Sequence, residues 1–416
     1  MITRIHIRNF KSLQDVTVDL GPFTVLIGQN GAGKSSFLQA LSLLGWLVSH
    51  RSINDALQDN GLTYNELVYL RAPSSRMVWE LDIEVHDPRQ PDRLVKARVH
   101  VSLAKRRYAY VSTELVQPAD LPPEDAAAAG QFWIGRVGKK IVVAREGPNR
   151  LEYRNVTLPH SVLLDVCLRP TEFPVLSAIA REISGFMHYE IWGPESLRRP
   201  SAGTATALAE RGQNLPSVLH SLRNARPEEY GRLMEEVRGA YAWLDAIEIR
   251  RLGEGQFALS FLEKTADKRR RRVRYQPSQV SDGFLRYLAL TTLRHQANGI
   301  SILGYEEPEN GMHPGMLQRS VETLRQVSSG GTQVIITTHS PFLLQFLLSA
   351  NSGGDPEREL RLVWRGADGK TEIRPPNKRI LAKAQAQGVG VGELWSMLLD
   401  ERRLAESGRT REGAET

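Results

Sequence analysis

Cysteine is almost absent from this chain. Cys167 is the only one in 416 residues, which excludes an intramolecular disulfide and a cysteine-built metal cluster. A lone thiol of this kind is expected as a small buried hydrophobe. No uninterrupted apolar segment reaches the roughly 20 residues that a membrane-spanning helix requires. The first residues, MITRIHIRNF, lack the apolar stretch and small-residue cleavage site of a secretory signal and read as a strand instead. These absences place the chain in the cytoplasm with no membrane partner. Internal repeats and long heptad runs are also missing, so neither a solenoid nor an extended coiled coil is expected. Acidic excess is missing too. The formal charge is +7 and the pI about 9.5, with arginine favoured over lysine, a balance that permits a nucleic-acid partner without establishing one. The remaining composition, 41% hydrophobic and 24% charged, is that of an ordinary globular chain long enough for two or three domains.

The strongest positive signal is GQNGAGKSS, Gly28 to Ser36, which fits the phosphate-binding pattern G-x-x-x-x-G-K-[ST]. Its context fits as well. Phe23–Ile27 is an apolar run that reads as a buried strand, and Phe37, Leu38, Leu41, Leu44 and Leu47 follow at helical spacing. Glycines allow the tight turn that aims successive N–H groups and a helix N-terminus at phosphates. Lys34 would reach the β- and γ-phosphates, and the Ser35 hydroxyl would hold Mg²⁺. Gly28, Asn30, Gly31, Gly33, Lys34, Ser35 and Ser36 are therefore the candidate ATP contacts.

Two short alternating strands, within Met1–Phe10 and at Val16–Val18, precede the loop. After the loop helix, alternation returns at Met77–Val85, Leu94–Leu103 and Tyr108–Thr113, and then more briefly at Phe132–Val137 and Lys140–Ala144. That pattern predicts an antiparallel lobe, with a soft connection at 117–130. Helical periodicity follows at Glu172–Phe186 and Pro227–Leu244, and Pro194–Leu208 reads as loop. Strands at Ala246–Arg251 and Gln256–Leu262 lead into a basic run, Lys268–Arg274. Beyond it, the order helix (Gly283–Arg294), strand (Ser301–Glu306), helix (Gly315–Val327), strand (Thr332–Thr337), helix (Pro341–Leu348) predicts a largely parallel sheet covered by helices. A hairpin at Leu360–Ile373, an amphipathic helix near Leu394–Leu404 and a disordered polar tail at Ser407–Thr416 complete the expectation.

A working phosphate loop needs a metal carboxylate and a group to activate water. The strand SILGYEEPEN ends in Glu306 and Glu307. Glu306 is assigned to Mg²⁺ and Glu307 to catalysis, since adjacent residues at a strand end can serve metal and water separately. His339 closes a second apolar strand, Val334–Ile336, and could bond the γ-phosphate and sense its loss. Together Glu307, His339 and Lys34 make up the candidate catalytic set. Gln279–Phe284 opens a helix with Ser281 or Asp282 as cap and Gly283 allowing close backbone approach, an anion-binding start with no evident phosphate to serve within its own subunit. A nucleotide on a second subunit resolves that puzzle.

These stretches together resemble the ABC-type ATPase heads of the RecF, Rad50 and SMC group. More closely, they are similar to the stand-alone RecF-type AAA_21 ATPases, which are related to the ATPase part of the OLD nucleases. The likeness rests on IHIRNFKSL at 5–13, GQNGAGKSS at 28–36, SDGFLRYLAL at 281–290, GYEEPENGMHP at 304–314 and TTHSPFLLQ at 337–345. It implies an α/β head with a mostly parallel core sheet, an antiparallel N-terminal lobe, a short helical insertion and no long coiled coil. The implied division is 1–170 for the first part of the head, 171–245 for the insertion, 246–350 for the second part and 351–416 for the hairpin, helix and tail. It also implies an ATP-dependent homodimer with two nucleotides sandwiched between heads, Ser281 and Gly283 being contributed across the seam. A glutamine late in the N-terminal lobe usually touches Mg²⁺ or water in such heads, and Gln117 is a candidate for that role.

The chain departs from the wider pattern in three ways. SDGF replaces the fuller transporter signature, Glu306 stands where many ATPases have Asp, and the interval from Lys34 to Ser281 is too short for an SMC-length arm. No cluster of acidic catalytic positions follows Asn351, so a nuclease or other effector would be a separate polypeptide.

Lys268–Arg274 is the densest basic patch and Lys105-Arg106-Arg107 the second. Either could take DNA backbone in a salt-sensitive, sequence-independent way, or be a solvated loop. Tyr275 is expected to pack, and His188, Trp192, Trp243 and Trp364 show nothing beyond core or surface packing. The expected function is a DNA-associated ATPase of repair or genome maintenance. Two other readings are an ATPase sensor that controls the effector of a defence or toxin system, and, against the signature and the antiparallel lobe, a transporter ATPase subunit.

Overall fold

The computed structural model describes residues 1–69, 75–121, 131–137, 141–154, 160–191, 193–264, 273–296, 299–348, 353–378 and 381. Trp192, most of the connection at 117–130, Lys268–Arg272, the helix expected near Leu394–Leu404 and the polar tail fall outside these residues. Two compact units are present. The first comprises Met1–Met187, Ile300–Leu303 and Arg358–Pro375, and the second His188–Gly299, Gly304–Glu357 and Pro376–Thr416.

The first unit opens with β1 (Ile2–Phe10) and β2 (Leu13–Asp19), followed by β3 (Phe23–Ile27). Apolar residues alternate inward along β1, so Ile5 faces Val18 and Ile7 faces Val16 in antiparallel register. Helix α1 (Lys34–Ser49) is buried on most of its surface, with the short helices α2 (Ile53–Asp59) and α3 (Tyr64–Leu67) after it. Then come β4 (Met77–Asp87), β5 (Gln90–Lys105), β6 (Ala109–Pro118), β7 (Trp133–Val137), β8 (Ile141–Glu146) and β9 (Asn149–Arg154). The antiparallel lobe is one sheet in the order β2-β1-β4-β5-β6-β7-β8-β9. Trp79, fully buried on β4, joins this sheet to α1: its indole N–H donates to the Ala40 carbonyl at 3.1 Å, and its ring meets Phe10 edge-on at 6.2 Å.

Helices α4 (Val162–Cys167) and α5 (Pro174–Ser184) pack against α1. Both begin on a buried carboxylate from the sheet. Glu114 accepts from the Val162 and Leu163 N–H groups, and Glu146 from those of Val175 and Leu176. The expected helix at Glu172–Phe186 stops at Ser184, because Phe186–Tyr189 is β10; an apolar strand this short carries no period to separate it from the helix end. Strand β9 and helix α4 were not expected from the sequence. The hairpin of β17 (Leu360–Arg365) and β18 (Thr371–Arg374) completes this unit, with β17 parallel to β3 (Leu360 opposite Val25).

The second unit contains α6 (Glu195–Arg198), β11 (Ser201–Ala202), α7 (Leu215–Ala225) and α8 (Pro227–Ala240). Helix α8 ends at Ala240 rather than Leu244, since Leu244 already pairs with Glu263 as the first residue of β12 (Leu244–Arg251). With β13 (Gln256–Glu263) and β14 (Arg274–Tyr275), β11 and β12 form a small antiparallel sheet. Helices α9 (Asp282–His295), α10 (Pro314–Ser329), α11 (Pro341–Leu348) and α12 (Pro356–Glu359) alternate with β15 (Ile302–Glu306) and β16 (Gln333–Thr338). Neighbouring strands β10, β15 and β16 are buried along their length except at Met187, as members of a largely parallel core sheet covered on its faces must be. No described helix exceeds 16 residues, so a long coiled coil is absent among the described residues.

Candidate functional site

The phosphate loop leaves β3 at Ile27 and is built by close packing. A Cβ on Gly28 would lie 2.0 Å from the Val363 carbonyl oxygen of β17, and one on Gly33 would lie 2.1 Å from Thr371 Oγ1 of β18. Gly33 also has φ +109°, a left-handed conformation that only glycine adopts at little cost. The Thr371 hydroxyl donates to the Ala32 carbonyl at 2.8 Å and pairs with Ser12 Oγ at 2.7 Å, so β18 braces the loop from behind. Asn30 and Gly31 are exposed, while Ser35 and Ser36 are half-buried in the first turn of α1. That turn has no acidic residue and no side-chain cap, leaving its N–H groups suited to an anion. Lys34 is 5% exposed, and its Nζ donates to the carbonyls of Gly28 at 2.9 Å and Gln29 at 3.1 Å, which fixes the ammonium within the loop.

In the second unit, the ends of β15 and β16 bring several acidic groups together. Glu306 is 3% exposed. Glu307 follows with φ +46°, a conformation that costs a non-glycine residue about 1 kcal/mol or more. Its N–H donates to the Thr337 carbonyl of β16 at 2.9 Å, which holds the turn in place. Both carboxylate oxygens of Glu307 are engaged. Asn310 Nδ2 donates to Oε2 at 2.8 Å, and His339 Nδ1 lies 3.0 Å from Oε1. Glu309 supports the histidine: one of its oxygens accepts from Thr338 Oγ1 at 2.6 Å and from the His339 N–H at 3.1 Å, and lies 3.4 Å from Nδ1.

Ser281 caps α9, accepting from the Phe284 N–H at 3.3 Å, and is exposed. Gly283 is buried, and a Cβ there would be 2.9 Å from the Gly311 carbonyl oxygen, so the glycine already has a packing reason within its own chain. Arg286 donates to the Asn310 carbonyl, which ties α9 to the loop after β15. Beneath the helix start, Phe284 meets Tyr241 and Phe261 edge-on at 4.9 Å and Trp243 at 5.2 Å. Arg198 clamps the start from outside, with its guanidinium 2.5 Å from Asp282 Oδ1 and donating to the Pro277 and Val280 carbonyls.

Two family models match this chain. Residues 1–65 match the family described as "AAA ATPase domain", and residues 200–345 match "AAA domain, putative AbiEii toxin, Type IV TA system". Among curated relatives, the OLD nuclease of Thermus scotoductus is 43% identical over 44 residues, 11% of this chain and 8% of that protein. The DNA replication and repair protein RecF of Limosilactobacillus reuteri is 41% identical over 56 residues, 13% of this chain and 15% of that protein. The matched stretches are thus similar to P-loop ATPases of the RecF and OLD-nuclease group. The RecF of Haemophilus influenzae matches this chain at 32% over 99 residues, 23% of this chain and 26% of that protein. All three relatives are thus spanned over a small fraction of their length. An SMC head bound to the C-winged helix domain of ScpA aligns with TM-score 0.47 and 15% identity over 92% of this chain and 99% of the solved one. The SMC head domain of Thermotoga maritima aligns with TM-score 0.41 and 12% identity, over 90% and 99%.

The donor chemistry of the candidate ligands, the Ser35 hydroxyl and the Glu306 carboxylate, fits Mg²⁺: both are hard oxygens, and Mg²⁺ characteristically takes only one or two such groups beside phosphate and water. Glu190, near Glu306, has its carboxyl raised above the usual range by burial and then by the Glu306 charge, which indicates a locally acidic environment. Among the described residues, Glu309 Oε2 and Thr337 Oγ1 are buried without a hydrogen-bond partner, capacity that water can take up.

The structure brings Glu307 and His339 within hydrogen-bond distance of each other and adds residues that the sequence reading missed. Asn310 and Glu309 were within reach of sequence reasoning, because both lie in the EEPEN stretch. His188 was read as ordinary packing, yet its Nε2 lies 2.9 Å from Glu306 Oε1 with both side chains buried. Nothing in the spacing of two residues 118 positions apart reveals that pair. Gln117 sits on β6 in the antiparallel lobe opposite Arg98, and its amide donates to the Leu121 carbonyl at 3.1 Å in the turn that follows. Tyr275 packs edge-on against Trp243 at 5.8 Å.

Proposed function

We propose that this chain is a Mg²⁺-dependent ATPase of the cytoplasm whose heads close face to face around ATP and act on DNA. The observation that carries the reading is the arrangement of Glu307, Asn310 and His339 at the ends of two adjacent strands. Asn310 and His339 hold the two oxygens of the Glu307 carboxylate and so orient it as a general base for a water molecule. Lys34, the α1 N–H groups and the loop amides bind the phosphates, with Gly28, Asn30, Gly31, Gly33, Ser35 and Ser36 shaping the cradle. Ser35 and Glu306 would hold Mg²⁺, which would neutralise charge on the phosphate oxygens. In this reading His339 would exchange its carboxylate contact for the γ-phosphate, and Ser281 and Gly283 would serve the nucleotide of the opposing head. DNA as partner is supported by the basic balance of the chain and by the tip of the β5–β6 hairpin. There Arg106, Arg107 and Tyr108 are exposed and the Arg107 guanidinium lies 5.5 Å over the Tyr108 ring. The run Lys268–Arg274 is a further candidate DNA contact by sequence, of which only Val273 and Arg274 are among the described residues.

The test is Glu307→Gln. The amide is nearly isosteric and can still accept from Asn310, so ATP binding is retained while the base is lost. Turnover falls about 10²- to 10⁴-fold, and the ATP-bound protein elutes from a sizing column as a dimer. Unchanged turnover removes Glu307 from the chemistry. Adding linear duplex, nicked or single-stranded DNA to the wild type at low and moderate salt tests the partner, with stimulation that weakens as salt rises as the expected result.

A second reading is favoured by the match of residues 200–345 to the AbiEii-toxin family and by the nuclease relative. In it the same ATPase is a sensor that controls a separate nuclease or other effector. ATP-dependent dimerisation with no DNA response, together with a co-purifying effector, would select it.

A further inference from the structure

Glu306 is buried, and burying an ionised carboxylate is costly unless another group compensates it. The compensating group comes from the neighbouring strand. His188, on β10 beside β15, places Nε2 at 2.9 Å from Glu306 Oε1, and the side chains are 9% and 1% exposed. Two residues on, just past the end of β10, Glu190 adds a second carboxyl near Glu306. An imidazole N–H donated to Glu306 Oε1 would hold the carboxylate in one orientation.

We propose that His188 is a positioning residue for the metal carboxylate. It donates Nε2–H to Glu306 and sets the plane from which that carboxylate meets Mg²⁺. The inference rests on the Mg²⁺–ATP reading above. Groups that orient metal ligands in this way commonly change metal affinity 10- to 100-fold when removed.

The side-chain geometry offers a sharp pair of variants. The amide nitrogen of glutamine reaches the place of the imidazole Nε2, whereas that of asparagine reaches only the place of Nδ1. Binding of a fluorescent ATP analogue is measured against Mg²⁺ concentration, and again in EDTA, with melting temperatures recorded for every variant. His188→Asn is expected to raise the Mg²⁺ concentration for half-maximal binding about 10- to 100-fold while leaving the EDTA affinity within about twofold. His188→Gln is expected to stay within about threefold of wild type on both measures. An unchanged Mg²⁺ requirement in His188→Asn, or an equal loss of affinity with and without Mg²⁺, overturns the proposal and leaves the ATPase reading intact. Should His188→Asn fail to fold, His188→Gln decides alone, because a tenfold rise in its Mg²⁺ requirement refutes the donor role. A wild-type protein that binds no ATP overturns the ATPase reading and this inference with it.

Discussion

The bracing of the phosphate loop by β18 can be tested by replacing Thr371 with Val, which keeps the shape of the side chain and removes only its hydroxyl. Thr371 is 3% exposed, and its hydroxyl serves both the Ala32 carbonyl and Ser12 Oγ. A typical hydrogen bond contributes about 0.5–1.5 kcal/mol net, and leaving a buried acceptor such as the Ala32 carbonyl unpaired costs about 1–3 kcal/mol. The extra buried methyl offsets up to about 0.8 kcal/mol. The backbone bond from the Thr371 N–H to the Ser12 carbonyl, 2.8 Å, survives. The expected net loss is therefore about 1–3 kcal/mol in urea unfolding at constant slope. ATP affinity should fall in parallel, because the carbonyl that is released belongs to the loop itself. Thr371→Ser is the control, since it keeps the hydroxyl and gives up only one methyl. If Thr371→Val loses less than about 0.5 kcal/mol and its ATP affinity stays within about twofold, the brace is not what shapes the loop.

Gly283→Ala gains up to about 1 kcal/mol of helix propensity but forces a Cβ to within 2.9 Å of the Gly311 carbonyl, a backbone atom that cannot swing away. A net loss of about 1 kcal/mol in chemical denaturation is expected, and a stabilised variant would mean that the two backbones separate freely. Glu229, on α8, is held below the usual carboxylate range first by its hydrogen bond to His295, against burial, with Arg232 and Arg226 adding to the effect. A lowered folded value means that the unfolded chain binds more protons in that range. The stabilisation is thus complete above about pH 4.3 and is lost as pH falls through the folded value. Glu229→Gln should accordingly be less stable than wild type at pH 7, with the gap in unfolding midpoints closing as the pH falls below about 4.3; a gap independent of pH would assign its origin to packing.

The sequence carried whatever is local in the chain. Gly28–Ser36 is legible because a phosphate cradle is a single turn of backbone, so its glycines, lysine and serine must be neighbours. Glu306 and Glu307 are legible because a buried strand must end somewhere, and adjacent charges after five apolar positions mark the place. The antiparallel lobe announced itself through period-two burial, although β9, with its residues only half-buried, carried no such pattern. Strand β10 was lost for a different reason, being four residues long and continuous in hydropathy with the helix before it.

Residues that act across strands were decided only by the tertiary structure. Thr371 meets the loop from 339 positions away from Ala32, and His188 meets Glu306 across 118. Both are ordinary-looking residues that bond to partners far away along the sequence. A hydrogen bond needs its atoms within about 3 Å but sets no limit on their separation along the chain. What the sequence by itself determined is the chemistry that fits inside one turn, one strand end or one helix start. The folded chain determined which distant side chains hold that chemistry in place, because only strand order brings them within bonding distance.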